Sequence, residues 1–174
     1  AIRIPALKFG APFAAVSREG SLTVNNVLLL AATATVFLGT FYPLFVDLMG
    51  RDKISVGPPF YNLTFVPIMV LLMIAMVIGP VLKWKRDDLR PALARLQRPA
   101  MVAGAVALLV LVLTLGRGAV TAFFMGLAAW LVGGSFAVLA HRVRLGRVDL
   151  AHALHLARTT PRAFYGQILA HAGV

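Results

Sequence analysis

The sequence predicts an all-α integral membrane protein with four complete transmembrane helices and the start of a fifth. Of its 174 residues, 60% are hydrophobic and only 13% are charged, whereas a soluble domain carries about 25% charged residues. Several uncharged stretches approach the roughly 20 residues that a bilayer-spanning helix needs. The apolar content excludes an intrinsically disordered chain. The absence of cysteine excludes a disulfide scaffold.

Four stretches have the composition of transmembrane helices: 27–46, 64–82, 101–115 and 119–140. The third reaches spanning length when it is extended to 99–116. A fifth apolar stretch begins near Phe164. Helices are predicted instead of a β-barrel because the stretches are uniformly apolar, without the alternation that barrel strands show.

The positive charges lie between these stretches and alternate in number. In chain order, the five charged segments contain 3, 2, 6, 1 and 5 Lys or Arg residues. Because such residues are enriched in cytoplasmic loops, the first, third and fifth segments are predicted to face the cytoplasm. The net charge of +11 is therefore a topology signal, and no nucleic-acid partner is predicted.

The predicted organisation follows from the spans and the charges. It consists of a cytoplasmic arm (1–23), a four-helix transmembrane bundle (24–140) with a periplasmic loop (47–63) and a cytoplasmic loop (83–98), a cytoplasmic loop (141–163) and the start of a fifth helix (164–174). Small residues predict that the third and fourth helices pack closely across the turn 116–118. These residues are Ala103, Gly104, Ala107, Gly126, Ala129, Gly133 and Gly134.

Four histidines are candidate ligands for a metal or cofactor. His141 ends the fourth span, where an imidazole suits the headgroup boundary. His152 and His155 share a helix face, which is compatible with a metal pair and equally with a solvated surface. His171 lies about 10 Å along a helix from Phe164, inside the hydrocarbon region if the fifth helix enters the membrane there. Such an imidazole marks either a functional site, for example an axial haem ligand, or a histidine bonded to a neighbouring carbonyl.

Two further features allow alternative interpretations. Asn25 and Asn26, at the start of the first span, can cap the helix or hydrogen-bond between helices. The segment 54–62, ISVGPPFYN, is dense in Gly, Pro and aromatic residues. It suits either an exposed contact surface or a rigid re-entry into the second span.

Five short motifs together resemble the CcmF family of cytochrome c-type biogenesis proteins. They are SREG at 17–20 followed by Asn25 and Asn26, LGT at 38–40 with Pro43, ISVGPPFYN at 54–62, GPVLKWKRDD at 79–88, and LAHAGV at 169–174. Their order and spacing carry the resemblance, whereas residues 101–162 match only in hydropathy. The family's tryptophan-rich WWD motif and its first transmembrane histidine do not occur in this sequence. We therefore expect a C-proximal fragment in which both features precede Ala1.

The resemblance implies a multi-pass, haem-handling protein of the bacterial inner membrane. CcmF-like proteins act in a haem lyase complex with a CcmE-like haem chaperone and a CcmH-like apocytochrome-binding subunit. The complex attaches haem covalently to CxxCH motifs of apocytochrome c on the periplasmic side. The family holds a structural haem b between two transmembrane histidines, and the second corresponds to His171. The resemblance thus implies that His171 is one axial ligand of haem b, with the other ligand outside this segment.

Two other classes of protein remain open. A secondary transporter or permease segment would bind its substrate at interrupted helices, for which 39–43 and 79–80 are candidates. A structural subunit of a respiratory membrane complex would use its histidines only for packing or interfacial anchoring.

Overall fold

The computed structural model describes residues 14–50 and 54–173. Residues 1–13 of the predicted arm, residues 51–53 of the predicted periplasmic loop and Val174 lie outside the described residues. Within the described ranges the chain forms six α-helices and no β-strand. The helices are α1 (Arg18–Leu48), α2 (Pro58–Ile78), α3 (Leu89–Leu113), α4 (Ala119–Arg142), α5 (Leu150–Thr159) and α6 (Arg162–Ala172).

The first four helices are long and apolar enough to cross a membrane. The candidate span in α1 has 31 residues, and those in α3 and α4 have 24 each. The span that contains α2 also has 24 residues, because it continues through a short 3₁₀ turn to Val81. At 1.5 Å per residue, 24 residues extend about 36 Å, which exceeds the hydrocarbon thickness of about 30 Å. The predicted all-α membrane fold is therefore confirmed. The start of the predicted fifth helix is α6, whose 11 residues are too few to cross a bilayer by themselves.

The helices extend beyond the apolar stretches that predicted them. The Ser17 hydroxyl caps α1 by accepting a hydrogen bond from the Gly20 N–H at 3.0 Å. α3 begins at Leu89 and carries Pro91 in its first turn, where a missing N–H is tolerated. As a result, α1 and α3 reach into the predicted cytoplasmic segments 1–23 and 83–98. α2 begins inside the predicted loop 47–63, and α5 forms within the predicted loop 141–163.

α3 and α4 form the predicted hairpin, and small residues bring their backbones together. A Cβ atom at Gly126 would lie 3.0 Å from Ala107 Cβ and 3.2 Å from the Ala103 carbonyl oxygen. The turn between the helices depends on Gly116, whose φ of +77° is the left-handed conformation that glycine adopts without strain. The close packing predicted across 116–118 is thus confirmed for Gly126.

Two glycines of the predicted α3–α4 interface lie elsewhere. A Cβ atom at Gly104 would meet no atom within 4 Å, so this residue is not in the interface. Gly134 faces α2, because a Cβ there would come within 2.7 Å of Val77 Cγ2. α4 therefore packs on α3 through Gly126 and on α2 through Gly134. The sequence alone does not show which face of α4 contacts α3 and which contacts α2, because α4 is apolar on all sides.

α1 and α2 pack against each other near both of their ends. At one end, a Cβ atom at Gly39 would lie 2.6 Å from the Tyr61 hydroxyl and 3.0 Å from the Phe60 ring. At the other end, a Cβ atom at Gly79 would lie 2.8 Å from Ser21 Oγ. Phe60 and Tyr61 belong to the segment 54–62, so the structure favours a rigid re-entry into the second span over an exposed contact surface for that segment.

Two segments that are distant in sequence bind each other at the end of the bundle where α1 begins and α2 ends. We call residues 14–19 together with residues 83–88 the 14–19/83–88 junction. Its backbone bonds run from Ala14 N to Lys85 O (3.0 Å), Arg18 N to Lys83 O (2.9 Å) and Asp87 N to Val16 O (2.9 Å). The Glu19 carboxylate accepts a bond from Lys85 N at 2.8 Å, and the Arg18 guanidinium stacks on Trp84 at 5.0 Å.

The carboxylate of Asp87 organises this junction. It accepts hydrogen bonds from the backbone N–H groups of Lys83 at 3.1 Å and Asp88 at 2.9 Å, and it pairs with the Arg95 guanidinium at 3.2 Å. Burial raises the pKa of Asp87, but the two N–H bonds and the charges of Arg95 and Lys83 outweigh burial, so the pKa lies below its ordinary value of 3.8. Arg95 also donates to the Val81 carbonyl at 2.8 Å. One carboxylate therefore ties the end of α2 to the first turns of α3.

Replacing Gly134 with alanine should destabilise the bundle by about 1–3 kcal/mol, because the added methyl group overpacks the contact with Val77. The matched control is Gly104→Ala, which should stabilise the bundle by about 0.5–1 kcal/mol because it lowers backbone entropy in an uncrowded helix position. Thermal unfolding of the detergent-solubilised variants measures both effects. Equal effects of the two substitutions would contradict the placement of Gly134 against α2.

The stabilisation that Asp87 provides should depend on pH. Its pKa is lowered in the folded state, so the stabilisation is fully present at a pH above the ordinary pKa of 3.8 and is lost as the pH falls through the folded pKa. Asp87→Asn should lower the unfolding midpoint at pH 7 and flatten its dependence on pH in the acid range. Asp88→Asn is the control, because Asp88 forms no ion pair among the described residues. A similar loss of stability in both variants would refute the role of Asp87.

Candidate functional site

His171 lies in the last turn of α6, on the face that packs against the bundle. Phe164, Ile168 and His171 follow at spacings of four and three and therefore share that face. Ile168 is buried, and the other two side chains are half-buried. The Tyr165 hydroxyl donates to the Ala157 carbonyl at 2.7 Å and fixes α6 against α5. The imidazole is thus held at a defined place by the packing of a short helix.

A small cavity of about 120 Å³ adjoins the imidazole. Residues of α1, the α2 end and α6 line it. α1 contributes Arg18, Ser21, Leu22 and Asn25, and the α2 end contributes the apolar residues Ala75, Met76, Gly79 and Pro80. Gln167 comes from α6, one turn before His171. Because Ser21 lies close to Gly79, the α1 residues of the cavity lie next to those of the α2 end.

The 14–19/83–88 junction positions these walls. It fixes the first turn of α1 against the chain that follows α2. The cavity begins at this turn of α1 and extends one to two turns from the junction along α1 and back along α2. Among the side-chain hydrogen bonds of the described residues, α6 contributes the Tyr165 hydroxyl and none from the His171 imidazole. Asn25 lines the cavity, while Asn26 faces outward.

The chain can offer one axial nitrogen to a haem iron at this place but cannot enclose the porphyrin. Sites for small molecules commonly have volumes of about 300–1,000 Å³, well above the 120 Å³ found here. The imidazole is half-exposed, so a ring system would approach from its open side. The donor chemistry fits, because imidazole in an apolar setting is a common haem ligand.

The other three histidines do not converge on His171. His141 lines a separate cavity of about 350 Å³ that also contains Lys83 and Arg95. His152 and His155 are exposed on α5. Within the described residues, no group of three or more His, Asp or Glu side chains could hold a metal ion. A metal pair at His152 and His155 therefore lacks a third protein ligand in this part of the chain.

Sequence reasoning singled out His171 and Asn25 but missed the rest of the site. Ser21, Met76 and Gln167 carry no motif that distinguishes them from ordinary helix residues. Gly79 and Pro80 were visible only as a candidate helix interruption and as part of the segment 79–88 that resembles the family. That all these residues line one cavity becomes visible only in the packed helices.

Comparison with known proteins identifies relatives along the full chain. The chain is 43% identical over 172 residues to the cytochrome c-type biogenesis protein CycK of Bradyrhizobium diazoefficiens, and the match covers 99% of this chain and 26% of CycK. It is 37% identical over 176 residues to CcmF of Pseudomonas aeruginosa, with 100% of this chain and 26% of that protein covered. It is 33% identical over 164 residues to CcmF of Escherichia coli, with 91% and 23% covered.

The chain thus spans about a quarter of the length of the curated relatives it matches. No protein-family model matches it, and no solved structure matches it. The relatives match at 33–43% identity over nearly the whole chain. On these grounds, the chain belongs to the CcmF and CycK family of cytochrome c-type biogenesis proteins.

Proposed function

We propose that this chain is part of a haem-handling membrane protein of cytochrome c maturation, in which His171 is one axial ligand of a structural haem b. The observation that carries the proposal is the half-buried imidazole where α1, α2 and α6 meet. Membership of the family supplies the biological setting. The second axial ligand would lie outside this chain segment, as the resemblance to the family implies.

The residues around His171 would hold the imidazole ready for the iron. Burial of Ile168 and the bond between Tyr165 and the Ala157 carbonyl fix the helix that carries the ring. Asn25 and Gln167 line the adjoining cavity and offer amide groups that can orient the ring N–H. When bound, the haem supplies a redox-active iron, whose potential depends on the axial ligands and on the surrounding polarity.

The wider activity follows the pattern of the family. The complete protein would attach haem covalently to CxxCH motifs of apocytochrome c on the periplasmic side, as a haem lyase. Its partners would be a CcmE-like haem chaperone, a CcmH-like apocytochrome-binding subunit and the apocytochrome itself. The substrate would supply the thiols, in keeping with the absence of cysteine from this chain. The protein would lie in the bacterial inner membrane with its N-terminal arm in the cytoplasm, as the positive charges predict.

The two alternative classes lack support from the helices. A transporter site at 39–43 would need a broken helix, but α1 is continuous through Gly39 and Pro43. The sequence at 79–80 ends α2 in a short 3₁₀ turn instead of interrupting it near the bilayer centre. A purely structural subunit would leave the open, unbonded imidazole of His171 without a role.

Replacing His171 with alanine in the full-length protein should abolish the b-type absorption bands, because the iron loses one of its two axial ligands. The measurement is the reduced-minus-oxidised spectrum of purified protein, normalised to protein content. His141→Ala is the matched control and should keep its full haem content, since His141 lines a different cavity. A His171→Ala protein that retains normal b-type bands would show that another residue is the ligand.

A second variant separates ligation from folding. His171→Met should retain haem but raise its reduction potential, because a methionine–histidine pair favours ferrous iron more than two histidines do. A potentiometric titration of the b-type band measures this shift. An unchanged potential in a haem-loaded His171→Met protein would exclude His171 from the coordination sphere.

A further inference from the structure

A third cavity, of about 370 Å³, lies at the end of α4 and is lined mainly by cationic and hydroxyl side chains. Its walls are formed by Arg142, Arg144, Leu156, Thr159 and Thr160. Arg142 is the last residue of α4, and Thr159 is the last residue of α5. The cavity therefore lies between the ends of two helices, apart from the cavity beside His171.

The two arginines are available to bind an anion. Both ion pairs among the described residues are formed by Asp87, so Arg142 and Arg144 have no carboxylate partner in this part of the chain. The Arg142 guanidinium stacks over the Phe164 ring at 5.5 Å. Stacking orients the guanidinium plane and leaves its N–H groups free to donate. The threonine hydroxyls donate their protons to carbonyls within α5, so the guanidinium N–H groups are the donors that this wall offers to an anion.

Arg144 occupies a backbone position that glycine normally takes. The Arg144 N–H bonds to the His141 carbonyl at 3.3 Å and the Leu145 N–H to the Ala140 carbonyl at 2.9 Å, as in a helix-ending Schellman motif. At this position Arg144 has a φ of +54°, which costs a non-glycine residue free energy. A strained residue whose side chain enters a cavity is a reason to look for function.

The depth of the cavity relative to the bilayer indicates which class of anion it can bind. α4 has the length and composition of a membrane-spanning helix, so its last residue, Arg142, lies where the hydrocarbon ends and the headgroups begin. Basic pockets at this level bind the phosphates of anionic lipids. We propose that Arg142 and Arg144, with the α5 end at Thr159 and Thr160, form a binding site for the headgroup of an anionic phospholipid. This proposal is independent of haem ligation by His171.

The test is a titration of phosphatidylglycerol into detergent-solubilised full-length protein, followed by native mass spectrometry. Arg142→Gln combined with Arg144→Gly should weaken binding about 30-fold, from the loss of two interfacial cations. Arg144→Gly alone should weaken binding about fivefold without lowering the unfolding midpoint, because glycine relieves the left-handed backbone. The matched control, Arg147→Gln with Arg158→Gln, removes the same charge from residues that do not line the cavity and should bind normally.

Three outcomes would overturn the proposal. Equal weakening in the cavity pair and the control pair would show diffuse attraction to the basic surface instead of a built site. Equal binding of phosphatidylcholine would show that the negative charge is not recognised. Displacement of the lipid by inorganic phosphate at similar concentration would assign the cavity to a soluble phosphate compound instead.

Discussion

The buried carboxylate of Asp87 is the interaction on which the arrangement of the helices depends. Transmembrane helices gain little from the hydrophobic effect against one another, because lipid tails are as apolar as their side chains. Their relative positions must then come from close packing and from polar bonds. Asp87 supplies the polar bonds at the junction, where backbone N–H groups and the Arg95 guanidinium surround it. Without this anchor, the end of α2 and the first turns of α3 would lose their registration.

The motifs that carry the family resemblance are contact points within one structure. SREG at 17–20 meets the segment 79–88 in the junction. Gly39, from LGT at 38–40, packs against the rings of Phe60 and Tyr61 in the segment 54–62. The imidazole of the tail motif adjoins a cavity lined by Asn25 and Gly79. These motifs thus hold α1 and α2 together and line the cavity beside His171.

The sequence predicted the membrane spans well because hydropathy over about twenty residues needs no knowledge of tertiary structure. It also predicted the α3–α4 hairpin, since small residues on adjacent helices suit close approach. It could not show which glycines face the partner, because Gly104 and Gly126 are equally surrounded by apolar residues along the chain. The junction was likewise hidden, since Glu19 and Lys85 are 66 residues apart. Within the candidate site, His171 was recognisable, whereas Ser21 and Met76 became visible only through packing.

The junction also constrains membrane topology, and this constraint does not depend on the positive charges of the loops. Hydrogen bonds between residues 14–19 and 83–88 require both segments to emerge on the same side of the lipid. The α1–α2 pair must therefore insert as a helical hairpin, and inverting either helix alone would break every one of these bonds. The pairing places both segments on one side of the membrane, and the distribution of lysine and arginine predicts which side that is. Moving a few basic residues would leave the pairing unchanged.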